Sequence, residues 1–277
     1  MKIGFIGDIV GKPGRDTIRE NLKNLKNDFS LDFVIANGEN ASHGFGLSKK
    51  NADELFGYGV DIITGGNHIW DKKDIIPFLD ELPIVRPANY PDEISGCGVK
   101  IFDSGNEKLA VINLMGYFTM PITNNPFMIA EKLVKELEKE DIKNIFIDFH
   151  AEATSEKRAL MCMLKGKVSA ICGTHTHIGT DDMVIDDGTF YVSDVGLSGC
   201  RDGVIGMDEK APIQRFLTGL PSSFDIPKKC KRIFQMVVLE INKGKCKNAK
   251  KIKIFDDVQK RNVVEAFREN KTIMSQK

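Results

Sequence analysis

The sequence lacks a net charge and a long hydrophobic run. Its 39 lysines and arginines balance 39 aspartates and glutamates, so no overall field favours a stable complex with nucleic acid or an anionic membrane. No apolar stretch is long enough for a secretory signal core or a membrane span. We therefore expect a cytoplasmic protein without a membrane partner, in which local charges bind any small anionic ligand.

Paired cysteine motifs are also absent, because the six cysteines are scattered and form no CxxC pair. A chain of 277 residues, 42% of them hydrophobic, can bury a large core without disulfide bonds. We therefore expect reduced thiols, most of which pack as small apolar residues, and we assign no metal to them.

The order of apolar and amphipathic stretches predicts the fold class. The first two-thirds of the chain alternate between them, which is typical of βαβ units. From residue 84 the stretches PIVRPANY, GVKIFDS and KLAVINLMG follow without helical spacing, which favours a second, antiparallel or mixed sheet. We predict an α/β fold with two packed mixed β-sheets flanked by helices. Residues 1–277 are predicted to form a single domain, with a loop or lid at about 196–226.

Polar side chains of metal-ligand type recur where predicted strands end. They are Asp8, Glu39, Asn40, Asn67, His68, His150, His175 and His177. Because strand ends of an α/β sheet meet at one edge, we expect these side chains at one locus. Imidazole, carboxylate and amide oxygen suit manganese, iron, zinc or similar ions, whereas the absence of thiolate argues against a structural zinc site. In THTH, the two histidines are two positions apart and would project the same way from an extended segment.

At these residues the chain resembles the calcineurin-like metallophosphoesterases. GGNHIWD and GTHTH match motifs of that superfamily, whereas Val10 replaces a usual histidine and GENAS replaces the usual GDxxD. Together with GDIVGKPGR and RFLTGLPSSF, these departures are similar to the YmdB-like branch, which contains bacterial 2',3'-cyclic-nucleotide 2'-phosphodiesterases. The resemblance extends from residue 1 to about residue 255 and implies a four-layer αββα sandwich.

The resemblance further implies a site for two divalent ions, iron or manganese first, with magnesium or zinc as alternatives. One ion would be held by Asp8, Glu39, Asn40 and His177, and the other by Glu39, Asn67, His150 and His175. A bridging Glu39 would offset part of the repulsion between the ions. We hypothesise that a hydroxide bridging the metals attacks phosphorus while His68 acts as general acid.

The leading functional hypothesis is a phosphodiesterase that acts on cyclic nucleotides such as 2',3'-cAMP. Two alternatives keep the same metal site: a phosphomonoesterase or protein phosphatase, and a regulatory protein that senses a nucleotide with little turnover. A homo-oligomer is left open, with Phe45, Phe127 and Phe216 as candidate contacts.

Several polar residues near the motifs receive no single role. Asp148 lies on the same strand face as His150 and needs a hydrogen-bond partner. His43 either organises the loop after Glu39 or touches substrate. In the candidate lid, Arg201 and Arg215 either bind phosphate or are simply solvated.

Overall fold

The structure is a computed structural model that describes residues 1–105 and 107–269. The strands are β1 (Lys2–Ile6), β2 (Phe33–Asn37), β3 (Ile62–Thr64), β4 (Ile84–Val85), β5 (Val99–Ser104), β6 (Glu107–Met115), β7 (Asn144–His150), β8 (Ala170–Thr174), β9 (Val184–Asp186), β10 (Thr189–Val192), β11 (Gly199–Cys200), β12 (Arg232–Asn242), β13 (Lys245–Phe255), β14 (Lys260–Glu265) and β15 (Phe267–Arg268). The helices are α1 (Gly11–Phe29), α2 (Lys49–Gly57), α3 (Pro126–Lys139), α4 (Thr154–Leu164), α5 (Lys210–Thr218) and a 3-10 helix at Lys73–Phe78.

The strands form two mixed sheets. The first has eight strands in the order β14–β13–β12–β1–β2–β3–β4, with β11 beside β12. The second has seven strands in the order β15–β9–β10–β8–β7–β6–β5. The neighbours β1–β2–β3–β4 and β6–β7–β8–β10 are parallel, so each group directs its carboxyl ends to one edge.

Three hydrophobic cores separate four layers. Phe5 and Phe146 from the two sheets meet with ring centroids 4.9 Å apart, so the sheets pack face to face. Ile18 of α1 belongs to the core on the outer face of the first sheet, and Leu160 of α4 to the core on the outer face of the second. The predicted α/β fold, with two mixed sheets flanked by helices, is therefore confirmed.

Local sequence signals explain several element boundaries. Ser48 caps α2 because its side chain accepts a hydrogen bond from the Asn51 backbone nitrogen. Asp187 and Gly188 have φ values of 51° and 81°, which suits the tight turn between antiparallel β9 and β10. The prediction of a single domain over 1–277 stays a prediction, and its residues 106 and 270–277 lie outside the described part of the chain.

Two segments differ from the sequence-based prediction. PIVRPANY contributes only β4, which joins the first sheet beside β3, so the second sheet begins with β5. The segment predicted as a loop at about 196–226 contains both β11 and α5. Its weak helical periodicity arises because α5 has a single buried residue, Pro212.

A disulfide joins Cys200 to Cys230, with their Cα atoms 5.6 Å apart. The expectation of reduced thiols is therefore wrong for this pair, whereas Cys97, Cys162, Cys172 and Cys246 are free. The bond closes a segment over 30 positions and connects its two ends beside β12. Of the helices in the described ranges, none combines the length and apolarity that a membrane crossing requires.

Candidate metal centre

The first group of ligand atoms surrounds the fully buried ring of His150, at the carboxyl end of β7. Its Nε2 lies 3.0 Å from Glu39 Oε1 and 3.1 Å from both Asn67 Oδ1 and His175 Nδ1. A Cβ at Gly66 would lie 2.2 Å from Glu39 Oε2 and 2.5 Å from His150 Nε2, so only glycine allows this approach. The structure thus brings together the four side chains proposed for one ion.

Hydrogen bonds on the other side of the ring orient His150. Thr174 Oγ1 lies 2.6 Å from Asp148 Oδ1 and 3.0 Å from His150 Nδ1. Because the hydroxyl donates to the carboxylate, it accepts from Nδ1–H, so in the neutral ring the Nε2 lone pair faces the cluster. Asp148 also accepts hydrogen bonds from Thr64 and Asn37. This buried carboxylate therefore orients His150 through Thr174.

The second group consists of Asp8, Asn40 and His177. Asp8 Oδ1 and Asn40 Oδ1 are buried and have no hydrogen-bond partner among the described residues. His177 Nδ1 donates to the Ile205 carbonyl at 2.7 Å, so its Nε2 carries a lone pair, which lies 3.2 Å from Asn40 Nδ2 and 3.8 Å from Asp8 Oδ1. Buried acceptors without donors are rare and costly, and a cation would satisfy them.

Glu39 lies between the two groups, with Oε1 3.1 Å from Asn40 Nδ2 and 3.0 Å from His150 Nε2. Burial opposes its ionisation, but the charge of His150 lowers the pKa of Glu39 to about 2. Burial likewise opposes protonation of His150, but Glu39 raises the pKa of that ring to about 9. Each of these two side chains thus favours the charged form of the other, and the space beside Glu39 favours positive charge.

The remaining pKa shifts fit the same charge pattern. Burial, followed by the charge of His150, lowers the pKa of His175 to about 3, so this ring is neutral and able to act as a ligand. Burial raises the pKa of Asp8, against the lowering effects of His177 and His150. The carboxylate and imidazole donors therefore fit divalent ions in both groups. Val10, at the position of the missing histidine, instead packs against Gly206.

His68 lies beside the cluster without joining it. Its backbone nitrogen donates to Glu39 Oε2 at 3.0 Å, whereas its side chain, 30% exposed, bonds to Asp71 through Nδ1 at 2.8 Å. Phe45 packs edge-on against the ring, with centroids 5.1 Å apart. Asp71, the last residue of GGNHIWD, is thus the partner that orients His68, a contact that the motif alone does not reveal.

The backbone of the THTH segment corrects one expectation. His175 and His177 have φ values of 96° and 66°, so the segment is not extended and the rings do not project together by strand alternation. Instead, His175 faces His150, while His177 faces Asn40 at 3.2 Å. The left-handed backbone therefore allows the two histidines to serve different groups.

The polar residues without an assigned role lie outside both groups. His43 is exposed and lines a separate cavity with Lys12 and Lys228. Arg201 forms a 2.6 Å ion pair with Asp257.

Arg215 lies 5.6 Å from the ring centroid of Phe224. By contrast, Glu152, which was not among the predicted site residues, reaches the cluster with Oε2 3.1 Å from His175 Nε2. Its position two residues after His150 was the available signal.

Comparisons with known proteins agree with this geometry. A family model described as "YmdB-like protein" matches residues 5–254. A 2',3'-cyclic-nucleotide 2'-phosphodiesterase from Bacillus subtilis (strain 168) is 48% identical over 228 residues, which cover 82% of this chain and 86% of that protein.

Two crystal structures have similar folds. A hypothetical protein from Thermus thermophilus superposes with a TM-score of 0.85 at 35% identity, covering 96% of this chain and all of the other (100%). A novel phosphatase from Mycoplasma pneumoniae gives a TM-score of 0.81 at 33% identity, covering 96% of this chain and 94% of the other.

Proposed function

Because this chain belongs to the YmdB-like protein family, we propose that it is a metal-dependent phosphodiesterase that hydrolyses 2',3'-cyclic nucleotides such as 2',3'-cAMP. The observation that carries the proposal is the pair of ligand groups joined by Glu39, with orphaned buried acceptors at Asp8 and Asn40. The activity named for the Bacillus subtilis relative supports the choice of substrate. A cytoplasmic location and a small phosphate-ester partner follow as parts of this proposal.

We assign two divalent ions to the site, iron or manganese first. When bound, they would supply Lewis-acid activation of water and neutralise charge on the phosphoryl oxygens. Within the protein, Glu39 would be the carboxylate shared by both ions, because its Oε1 contacts a residue of each ligand group. His150 and His177 present lone pairs fixed by Thr174 and by the Ile205 carbonyl.

His68 is the proposed general acid. Asp71 accepts a hydrogen bond from Nδ1–H, so the second proton of the imidazolium form, on Nε2, is the one available to a leaving oxygen, and the backbone bond to Glu39 keeps the residue next to the ligand cluster. Partial exposure of the side chain allows contact with substrate. His68 would thus donate the proton, whereas the two ligand groups would hold the ions.

The test compares wild type, Asn67→Ala and His68→Ala after reconstitution with manganese or iron. Hydrolysis of 2',3'-cAMP, bis-p-nitrophenyl phosphate and p-nitrophenyl phosphate is measured together with metal content. We expect diester turnover by wild type, loss of metal and activity in Asn67→Ala, and normal metal content in His68→Ala with a rate roughly 100-fold lower or more. Asp71→Asn should show a smaller rate loss with normal metal content, because the acid remains but is less well oriented.

Each result decides one part of the proposal. Metal-loaded wild type that cleaves only the monoester would support the phosphomonoesterase alternative. Binding of 2',3'-cAMP without turnover would instead support a nucleotide-sensing protein. A His68→Ala variant that retains full rate would exclude that residue as the acid.

A further inference from the structure

The segment from Thr174 to His177 has a strained backbone, which contacts outside the proposed ligand groups must hold in place. His175 and His177 both adopt left-handed backbone conformations, which cost free energy for residues other than glycine. Such conformations persist only where neighbouring groups fix them. The residue between the histidines, Thr176, is therefore the position at which a fixing contact acts on both.

Asp194 makes that contact from the end of β10. Its Oδ2 accepts hydrogen bonds from Thr176 N at 3.1 Å and from Thr176 Oγ1 at 2.8 Å. Its Oδ1 accepts from Gly196 N at 2.8 Å. One carboxylate thus fixes the backbone between two proposed ligands without touching either imidazole.

Lys157 completes the support from the first turn of α4. Its Nζ lies 3.1 Å from Asp194 Oδ2 and 2.8 Å from the Thr174 carbonyl. Lys157 therefore contacts both the supporting carboxylate and the first residue of the supported segment. The side chains of Lys157 and Asp194 are only 1% and 2% exposed. A buried ion pair is weak evidence for stability as such, since its desolvation offsets much of the attraction. Its contacts here are concentrated on the backbone that carries the histidines.

We propose that Lys157 and Asp194 are positioning residues for the metal centre, holding His175 and His177 in the arrangement that binds divalent ions. The pair acts through Thr174 and Thr176 and does not contact substrate. The inference rests on the metal site proposed above. Groups that orient metal ligands typically change metal affinity by about 10–100-fold when they are lost.

The test is a manganese titration of the full-length chain with Lys157→Met and Asp194→Asn. We expect the dissociation constant for manganese to rise at least about 10-fold in both variants. The increase in melting temperature on adding manganese should shrink in parallel. Lys165→Met is the matched control, because Lys165 forms a 2.8 Å pair with Asp186 just after the same helix and touches no proposed ligand.

The two readouts separate positioning from a purely structural role. A structural role alone would lower the melting temperature of the metal-free variants while leaving the manganese dissociation constant and the manganese-induced shift as in wild type, which would overturn the inference. Equal weakening in Lys165→Met would also overturn it. If wild type itself binds no divalent ion, the proposed function fails as well, so the two failures are distinguishable. Should either variant fail to fold, the other carries the same comparison.

Discussion

At the scale of single residues, the hydroxyl of Thr174 connects a buried carboxylate to a proposed metal ligand. It bonds to Asp148 and to His150 Nδ1 at 2.6 and 3.0 Å. Because that bond fixes the tautomer and the ring orientation, Thr174→Val should weaken metal affinity by about 10–100-fold with little change in fold. Metal titration followed by a thermal melt checks this.

Thr189→Val provides the control for that substitution. Thr189 is also fully buried in the second sheet, and within the described part of the chain its hydroxyl bonds to the backbone groups of Val168 and Gly166. This variant should lose stability while keeping the wild-type metal affinity. Equal metal affinity in Thr174→Val and wild type would contradict the role given to the hydroxyl.

Lys251 makes a residue-scale prediction about pH. Burial lowers its pKa from 10.5 to about 7, and its ammonium contacts the carbonyls of Thr180 and Asp194. Between about pH 7 and pH 10.5 the unfolded chain binds more protons than the folded chain, so the free energy of unfolding rises with pH. Below about pH 7 the destabilisation caused by burying the charged lysine is constant. Lys251→Met removes this dependence.

The measurement is the free energy of unfolding by urea as a function of pH. The free energy of unfolding of Lys251→Met should exceed that of wild type most at and below neutral pH, by up to a few kcal/mol (roughly 1.4 kcal/mol per unit of pKa shift). This difference should narrow towards pH 10. A difference that does not vary with pH would mean that the lysine keeps its ordinary pKa in the fold.

How far the site could be predicted also differs between residues. Asp8 and His150 were recognisable because a polar residue at the end of an apolar strand is a local signal. The Thr174–Asp148 contact was not, because it depends on the parallel register of β7 and β8. Nor does the sequence reveal the left-handed backbone at His177, which tertiary contacts fix.

At the scale of elements, the segment between Cys200 and Cys230 combines a contact to a proposed metal ligand with an exposed helix. The Ile205 carbonyl accepts the hydrogen bond from His177, whereas α5 exposes Phe216 at 87% and Leu217 at 76%. Long-range pairing of two cysteines, like the pairing of β4 with β3, has no local signature. By contrast, α1 and the β12–β13 hairpin carry a local signal, because the periodicity of apolar residues is visible over a short stretch of sequence.

Reduction of the disulfide should therefore open this segment to proteolysis. In the chain-entropy description, a cross-link that closes a loop of this length stabilises the folded chain by ~3–4 kcal/mol. Trypsin should cleave wild type after Lys210 or Arg215 much faster with dithiothreitol than without it. Mass spectrometry of the fragments provides the measurement.

The Cys200→Ser, Cys230→Ser double variant controls for effects on other thiols. It retains the exposed Cys97 and Cys162 and should be cleaved rapidly in both conditions. Cleavage of wild type at the same slow rate with and without reductant would show that the disulfide does not hold the segment.

At the scale of the whole molecule, the proposed ligands come from both sheets. Asp8, Glu39, Asn40 and Asn67 follow strands of the first sheet, and His150, His175 and His177 belong to or follow strands of the second. Bound ions would therefore connect the two halves of the sandwich. Removing them should lower stability of the folded chain as a unit.

Chelation followed by manganese addition tests this connection. Manganese at about 100 times its dissociation constant should restore ~2.7 kcal/mol of stability per occupied site to chelated wild type, because it binds the folded chain. His68→Ala should regain the same amount, whereas His150→Ala should regain less, because His150 is a proposed ligand of one of the two ions. An equal gain in both variants would mean that the ion binds elsewhere.

The position of β1 has a further consequence for synthesis of the chain. β1 pairs with β2 on one side but with β12 on the other, where Lys2 lies opposite Glu240. The ribosome therefore synthesises all seven proposed ligands before it has made β12, which completes the sheet that supports four of them. By contrast, β5 to β10 of the second sheet are synthesised consecutively. Since a domain gains its stability when it folds as a unit, we expect the nascent chain to acquire metal only after β12 has been translated.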